Sequence, residues 1–301
     1  MMRQIELVSL LYIQIYPRAP TELTSMELEP GIHQMTFGRE PLPGFPAPNS
    51  YLVFGSNSAI LIDTGWENDT DHLSRMAYLK EVAAPPISEI IITHRHPDHS
   101  GGALHLHREL KAPLACHYKD LEIIERDRLH NQLQVTSSLS GGETRDLGGL
   151  QLHLLHAPGH TFGCLAIYIP EREVLFTTDT VMGVSTTSIN PNDGSLAEYM
   201  QTLKLFQEIN PRIMYTGHGA AVKSPRERLK KLIDHRIQRE ISILRELKRK
   251  PMSSAQLSDV IYKGLPSSRK PLAERQILTT LAKLLEDNAI TKNSDDTYEA
   301  T

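Results

Sequence analysis

Apolar residues between positions 31 and 63 come in short runs, "IHQMTF", "YLVFG" and "AILIDTG", parted by the proline-rich "GREPLPGFPAPN", which is the pattern of strands around a stiff loop. From about Asp69 to Val82 the apolar positions Leu73, Met76, Ala77 and Leu79 predict a helix, and "ISEIIIT" returns as a buried strand. The alternation is α/β. Ser100, Gly101 and Gly102 open a second helix through "ALHLHREL", and continuous apolar runs at "APLACHY", "LQLHLLHAP", "CLAIYIP" and "EVLFTTD" predict strands covered on both faces. Ser195 with Glu198 three residues later forms a capping-box signature for a helix through about Ile209, after which "PRIMYTGHG" gives one more strand. Beyond Pro225 the period changes to one long amphipathic helix, with Leu229, Leu232, Ile233, Ile237, Ile241, Leu244 and Leu247 on one stripe. Two more helices, "SSAQLSDVIYKG" and "PLAERQILTTLAKLLEDN", and a small hairpin at "AITKNSDDTYEA" complete the chain.

Composition narrows the class only locally. A chain of 301 residues that is 40% apolar can bury a full core, and its net charge of -4 gives no global attraction to nucleic acid or an anionic membrane. The long helix is the exception: residues 223–250 carry eleven Lys/Arg against four Asp/Glu, a charge of +7 that leaves -11 for the rest. Such a face steers RNA or is simply solvated where it docks the tail. The two cysteines, Cys116 and Cys164, sit in apolar segments and point to a reducing, cytoplasmic setting. The N-terminal stretch imitates a secretion signal, but Glu6 and Gln14 interrupt its apolar run, so residues 1–25 read as an appendage and Met26 as a possible true start just before the first strand. No run approaches the ~20 apolar residues of a membrane span.

The chemistry is concentrated in "IITHRHPDHSGG", where His94, His96, Asp98 and His99 fall within six consecutive positions at a strand-to-helix junction. His160 in "APGHTFG", Asp179 in "FTTDT" and His218 in "YTGHG" likewise end apolar strands and enter turns. Strand ends are where α/β proteins place chemistry. Five imidazoles and two carboxylates suit zinc, or iron or manganese, better than the all-oxygen shells of magnesium and calcium. Seven ligands exceed one tetrahedral ion and are satisfied by two ions sharing a carboxylate, with positions left for water.

In this order the residues match the His-x-His-x-Asp-His signature, later His, bridging Asp and final His of the metallo-β-lactamase superfamily, which residues 31–224 resemble. The resemblance implies a four-layer αββα sandwich in which His94, His96 and His160 hold one metal, Asp98, His99 and His218 the second, and Asp179 bridges. "TTDT" and "TGHG" depart from the usual Ser-Gly-Asp and Pro-Gly-His-Gly without touching a ligand. Helices followed by a β-wing resemble a winged-helix module, and with "HRIQRE" they extend the similarity, to about residue 290, toward lactamase-like animal proteins that are single-strand endoribonucleases. The expected organisation is an appendage (1–25), a metallo-β-lactamase domain (26–224) and a long helix with a winged-helix-like domain (225–301). The expected activity is dinuclear zinc hydrolysis by a metal-bridging hydroxide, with Asp98 as catalytic group. A small-molecule acyl substrate (thioester, ester or lactam) is favoured, and single-stranded RNA is the alternative. Asp63 is either a turn former or a partner of a ligand imidazole, Thr161 is a candidate for the same supporting role, and His117 is left between pocket lining and core.

Overall fold

The computed structural model describes residues 24–41, 45–183 and 185–301, so most of the expected N-terminal appendage lies outside the described residues. One sheet of seven strands runs in chain order: β1 (Thr24–Glu29), β2 (Ile32–Thr36), β3 (Asn49–Phe54), β4 (Ala59–Ile62), β5 (Ile87–Ile92), β6 (Leu114–His117) and β7 (Ser137–Leu139). Hairpin-linked pairs are antiparallel up to β4, and β4 to β7 are parallel, joined by the helical crossovers that parallel pairing demands. β1 starts ahead of Met26, which lies inside the strand opposite Gln34, so the first strand does not begin after it. A five-stranded sheet has the order β12 (Ile213–Thr216), β11 (Val174–Thr178), β10 (Leu165–Ile169), β9 (Gln151–His156), β8 (Thr144–Asp146).

The two sheets face each other. Ile60, Ile62 and Ile91 of the first pack in one core with Leu154, Ile167, Phe176 and Tyr215 of the second. Because the strands are apolar on both faces, each sheet needs a second cover. On the first sheet it comes from α1 (Asp69–Val82), α3 (Ala103–Leu110) and α4 (Tyr118–Asp127), which bury Met76, Leu79, Leu104, Leu106 and Ile124. A short α2 (Pro97–Ser100) precedes α3. On the second sheet α5 (Leu196–Ile209) and the start of α6 (Pro225–Leu247) bury Tyr199, Leu203, Leu229 and Leu232. The layers are therefore αββα. α7 (Ser254–Ile261), α8 (Lys270–Glu286) and the hairpin β13 (Ile290–Lys292)–β14 (Tyr298–Ala300) enclose a separate small core with the end of α6.

Two helix faces differ from the sequence reading. In α1, Leu73 is 68% exposed and Ala77 is exposed, whereas Arg75 is buried beside Met76 and Leu79. The true stripe is one residue out of phase because a polar residue occupies it. In α6, Ile237 and Ile241 are 41% and 51% exposed, and Arg236 takes the buried place between Leu232 and Ile243. At ~35 Å for 23 residues the helix spans two cores: its first half belongs to the large domain and its second to the tail. One continuous stripe cannot serve both. Ser195 caps α5 by accepting from the Glu198 N–H at 3.3 Å, but the Glu198 carboxylate points toward Lys119 instead of closing the capping box. Ser253 and Gln256 make the reciprocal box, at α7.

Candidate metal centre

All seven candidate ligands meet at one end of the sandwich, where β5, β11 and β12 stop. β5 delivers His94, and the turn that follows feeds His96, Asp98 and His99 into α2. His160 follows β9, Asp179 follows β11 and His218 follows β12. His94, His96 and His160 offer ligand atoms within 4.8 Å of one another, and so do Asp98, His99 and His218. Asp179 lies between the two groups: Oδ2 is 3.5 Å from His160 Nε2, while Oδ1 is 3.3 Å from His99 Nε2 and 3.6 Å from His218 Nε2. Asp98 Oδ2 is 3.3 Å from His218 Nε2.

The outer nitrogen of each imidazole is engaged, which fixes where its proton sits. His160 Nδ1 lies 2.7 Å from the Ser188 carbonyl and His218 Nδ1 2.8 Å from that of Pro46; a carbonyl only accepts, so both rings carry the proton on Nδ1. His96 Nε2 donates to Asp193 Oδ2 at 2.8 Å, and His99 Nδ1 to Asp63 Oδ2 at 2.8 Å. Thr93 Oγ1 gives its proton to Asp63 Oδ2 at 2.8 Å and so receives the one on His94 Nδ1 at 3.2 Å. In the neutral rings the inward nitrogens are then lone pairs. His96 Nδ1 and His160 Nε2 point them at each other across 2.8 Å, and His99 Nε2 and His218 Nε2 across 3.2 Å. His94 Nε2 and Asp179 Oδ1 are buried without any hydrogen-bond partner. Converging lone pairs and orphaned buried acceptors are satisfied by cations, and the donor set of imidazole and carboxylate fits one divalent ion per triplet.

Protonation does not relieve the first triplet. Burial, with the charge of neighbouring imidazoles, pushes His94 well below the ordinary imidazole range and His96 down to about 3, and burial also lowers His160. In the second triplet burial is overridden by Asp179, Asp98 and Asp63, which raise His99 well above its usual value. Against the upward push of burial, His99 and the adjoining His218 keep Asp98 below the usual carboxylate value, and His218 and His99 do the same to Asp179. The carboxylates are ionised and demand positive charge, a proton in the metal-free protein and a cation when loaded.

The backbone around the centre is unusual. Thr178, a β-branched residue immediately before Asp179, has φ 46°, and Asp63 has φ 60°. At Gly217 a Cβ would stand 2.1 Å from Asp179 Oδ1 and 3.0 Å from His99 Cε1, so only glycine lets the β12 turn pass this close.

Asp63 resolves in both senses, a turn residue with positive φ whose carboxylate also receives the Thr93 N–H at 2.8 Å and orients His99. Thr161 does not touch a ligand imidazole: its hydroxyl meets Asp120 Oδ2 at 3.1 Å and Cys164 Sγ at 3.2 Å. His117 stays out of the cluster, accepting from the Lys119 N–H at the start of α4 and stacking on His156. Sequence reasoning missed Asp193, which also pairs with Arg95, and the carbonyls of Ser188 and Pro46. Carbonyl acceptors have no residue signature. The proline-rich loop, legible in sequence only as a stiff connection, reaches the centre: Pro46 orients His218, and Asn49 and Tyr51 beyond it bond the Thr216 carbonyl at 2.9 and 2.6 Å.

A two-sheet sandwich with seven convergent donors at one end defines a metallohydrolase of the αββα kind. The chain belongs to the metallo-beta-lactamase superfamily, which it matches over residues 43–218, and it is a hydrolase like the members of that superfamily; residues 253–298 match the beta-lactamase associated winged helix domain. It is 27% identical over 256 residues to a beta-lactamase-like protein 2 homolog of Caenorhabditis elegans, with 83% of each chain covered. It is 28% identical over 242 residues to an atrochrysone carboxyl ACP thioesterase of Aspergillus fumigatus, covering 77% of this chain and 70% of that one. A beta-lactamase domain protein of Burkholderia ambifaria shares the fold with a TM-score of 0.79 at 18% identity, over 97% of this chain and 98% of that one.

Proposed function

We propose that this hydrolase is a dinuclear zinc enzyme acting on a small acyl substrate, a thioester before an ester or lactam, in the cytoplasm. The observation that carries the dinuclear reading is the pair of triplets with Asp179 between them, with each outer nitrogen holding a proton so that every neutral ring presents a lone pair inward. Iron or manganese would satisfy the same donors, but five imidazoles favour zinc. Bound there, two divalent ions supply hydroxide at neutral pH and polarise the substrate's acyl oxygen.

The chain's own residues do the rest. Asp98, ionised and 8% exposed, sits at the rim of the second triplet, where its carboxylate orients the attacking water and passes a proton to the leaving group. The carboxylates of buried Asp63 and half-buried Asp193 keep His99 and His96 in the ligating tautomer. For a thioester the leaving thiolate needs less help from an acid than an alkoxide or amine does. Free, buried Cys116 and Cys164 fit a reducing compartment, and among the described residues no helix is long and apolar enough to cross a membrane.

Single-stranded RNA is the weaker reading because the basic helix spends its central cations elsewhere. The Arg236 guanidinium donates to the Thr187 carbonyl at 2.5 Å and to Gln276 at 3.0 Å, and Arg239 lies 4.2 Å over the Tyr262 ring. Neither is free to receive phosphates at the centre. The test is a panel of a thioester, a lactone, a β-lactam, bis(p-nitrophenyl) phosphate and a fluorogenic single-stranded RNA, with Asp98→Ala alongside. Thioester turnover that falls about 10²–10⁴-fold in Asp98→Ala is the expected result. Phosphodiester cleavage as the dominant activity, falling steeply with salt, overturns the acyl assignment in favour of RNA.

A further inference from the structure

The segment from Thr187 to Ile189 touches the metal centre on one side and the winged-helix tail on the other. Toward the centre, the Ser188 carbonyl receives the His160 Nδ1 proton at 2.7 Å, and the Thr187 hydroxyl donates to the carbonyl of Asp179 itself at 2.7 Å. Toward the tail, the Thr187 carbonyl takes Arg236 Nη2 of α6 at 2.5 Å. The Ile189 carbonyl accepts from Thr279 Oγ1 of α8 at 2.7 Å, and Gln276 Nε2 lies 3.3 Å from Ser188 Oγ and 3.4 Å from the Ile189 carbonyl. Arg236 Nη1 in turn holds Gln276 Oε1 at 3.0 Å. Thr187, Ile189, Arg236 and Thr279 are all at most 4% exposed, so these bonds are made away from water, where a missing partner is costly.

The two triplets differ in this respect. The outer partners of His99 and His218 are Asp63 and Pro46, which belong to the large domain and, among the described residues, make no hydrogen bond to the tail. We infer that α8 of the tail, together with Arg236 at the middle of α6, is a built-in clamp for the first half of the centre, with Arg236, Gln276 and Thr279 as positioning residues that set His160 and the Asp179 backbone through Thr187, Ser188 and Ile189. The inference rests on the dinuclear reading above. It gives the appended domain a task within the centre that requires no nucleic acid.

The test uses the metal-loaded full-length chain challenged with a chromogenic chelator, so that release of each ion is followed in time. Removing a ligand's direct partner weakens metal binding by roughly 10–100-fold. One bond further out, a combined Gln276→Met and Thr279→Val variant is expected to speed release of one ion by roughly three- to tenfold and leave the other unchanged, the affected phase being the one lost in His96→Ala. Thr279→Ser, which keeps the hydroxyl, restores the parent rate. Thr280→Val is the control for plain destabilisation, because Thr280 is equally buried on α8 but bonds only the Gln276 carbonyl within its own helix. If the parent releases two ions and the variant changes neither phase, or speeds both equally as Thr280→Val does, the clamp is wrong while the dinuclear centre stands. Release of less than one ion per parent chain removes the centre and the clamp together.

Discussion

At the scale of single residues, the ligand positions are legible because a metal asks for specific atoms. Imidazole and carboxylate have few substitutes, so His94, His96, Asp98 and His99 stand out at their spacing, and His160, Asp179 and His218 stand out by ending strands. The residues that orient them are harder to find. Asp63 was visible only as one half of an ambiguity, Asp193 sits in a polar loop like any other, and a carbonyl such as Ser188's belongs to every residue type. Gly217 carries the sharpest steric requirement of the site. A Gly217→Ala substitution places a methyl 2.1 Å from Asp179 Oδ1, inside contact distance, and the Asp179 carboxylate must move. Overpacking of this kind costs about 1–3 kcal/mol. The expected outcome in elemental analysis is at least one ion lost per chain, with a folded circular dichroism spectrum; full occupancy in Gly217→Ala would show that Asp179 is not held where a bridge requires it.

Elements were predicted well where hydrophobic period alone decides them. The strands from β2 to β5 and the helices α1, α3, α5, α6 and α8 fall where the pattern puts them, because each is an apolar run bounded by Gly, Pro or a cap. Faces were predicted less well. Arg75 and Arg236 occupy core-facing helix positions, and their aliphatic stems and ring contacts, with Phe37 and Tyr199, take the place of the hydrophobic side chain the period expects. β7 and β8 are three residues each and too short for any pattern to show. The connection between β3 and the turn after β12 is long-range and equally invisible in sequence. There Tyr51 OH donates to the Thr216 carbonyl at 2.6 Å and Asn49 Nδ2 to the carbonyls of Thr216 and Gly219 at 2.9 Å each. Tyr51 is 2% exposed, so Tyr51→Phe keeps the ring packing and deletes only this donor. A loss of about 1–2 kcal/mol in urea unfolding is expected, together with weaker metal retention at the His218 side. Unchanged stability and retention would mean that the turn is positioned without β3.

For the molecule as a whole, the centre makes stability depend on pH in a way that metal should reverse. In the metal-free protein His94, His96 and His160 all titrate below the usual 6.5, so below that pH the unfolded chain binds protons that the folded one refuses. Stability contributed by these groups is therefore full above pH 6.5 and falls as the solution is acidified through and below it. Asp98 and Asp179, held below the usual 3.8, add a further loss as pH falls through that range. His99 runs the other way: its raised value contributes stability that is complete below 6.5 and lost as pH rises through its folded value. Three depressed imidazoles against one raised one leave a net loss on acidification between about pH 6.5 and 4. Urea midpoints of chelator-treated protein should fall across that window, and a flat or rising midpoint would contradict the buried neutral histidines.

The most direct measurement is the number of metal ions carried by the purified full-length chain, counted by elemental analysis for the parent and for Asp179→Ala. Two divalent ions per parent chain, with zinc the main element, and fewer than two in Asp179→Ala are expected, because Asp179 faces both triplets. A parent chain with one ion or none, or an Asp179→Ala variant that keeps two, would contradict a centre in which one carboxylate joins two metals.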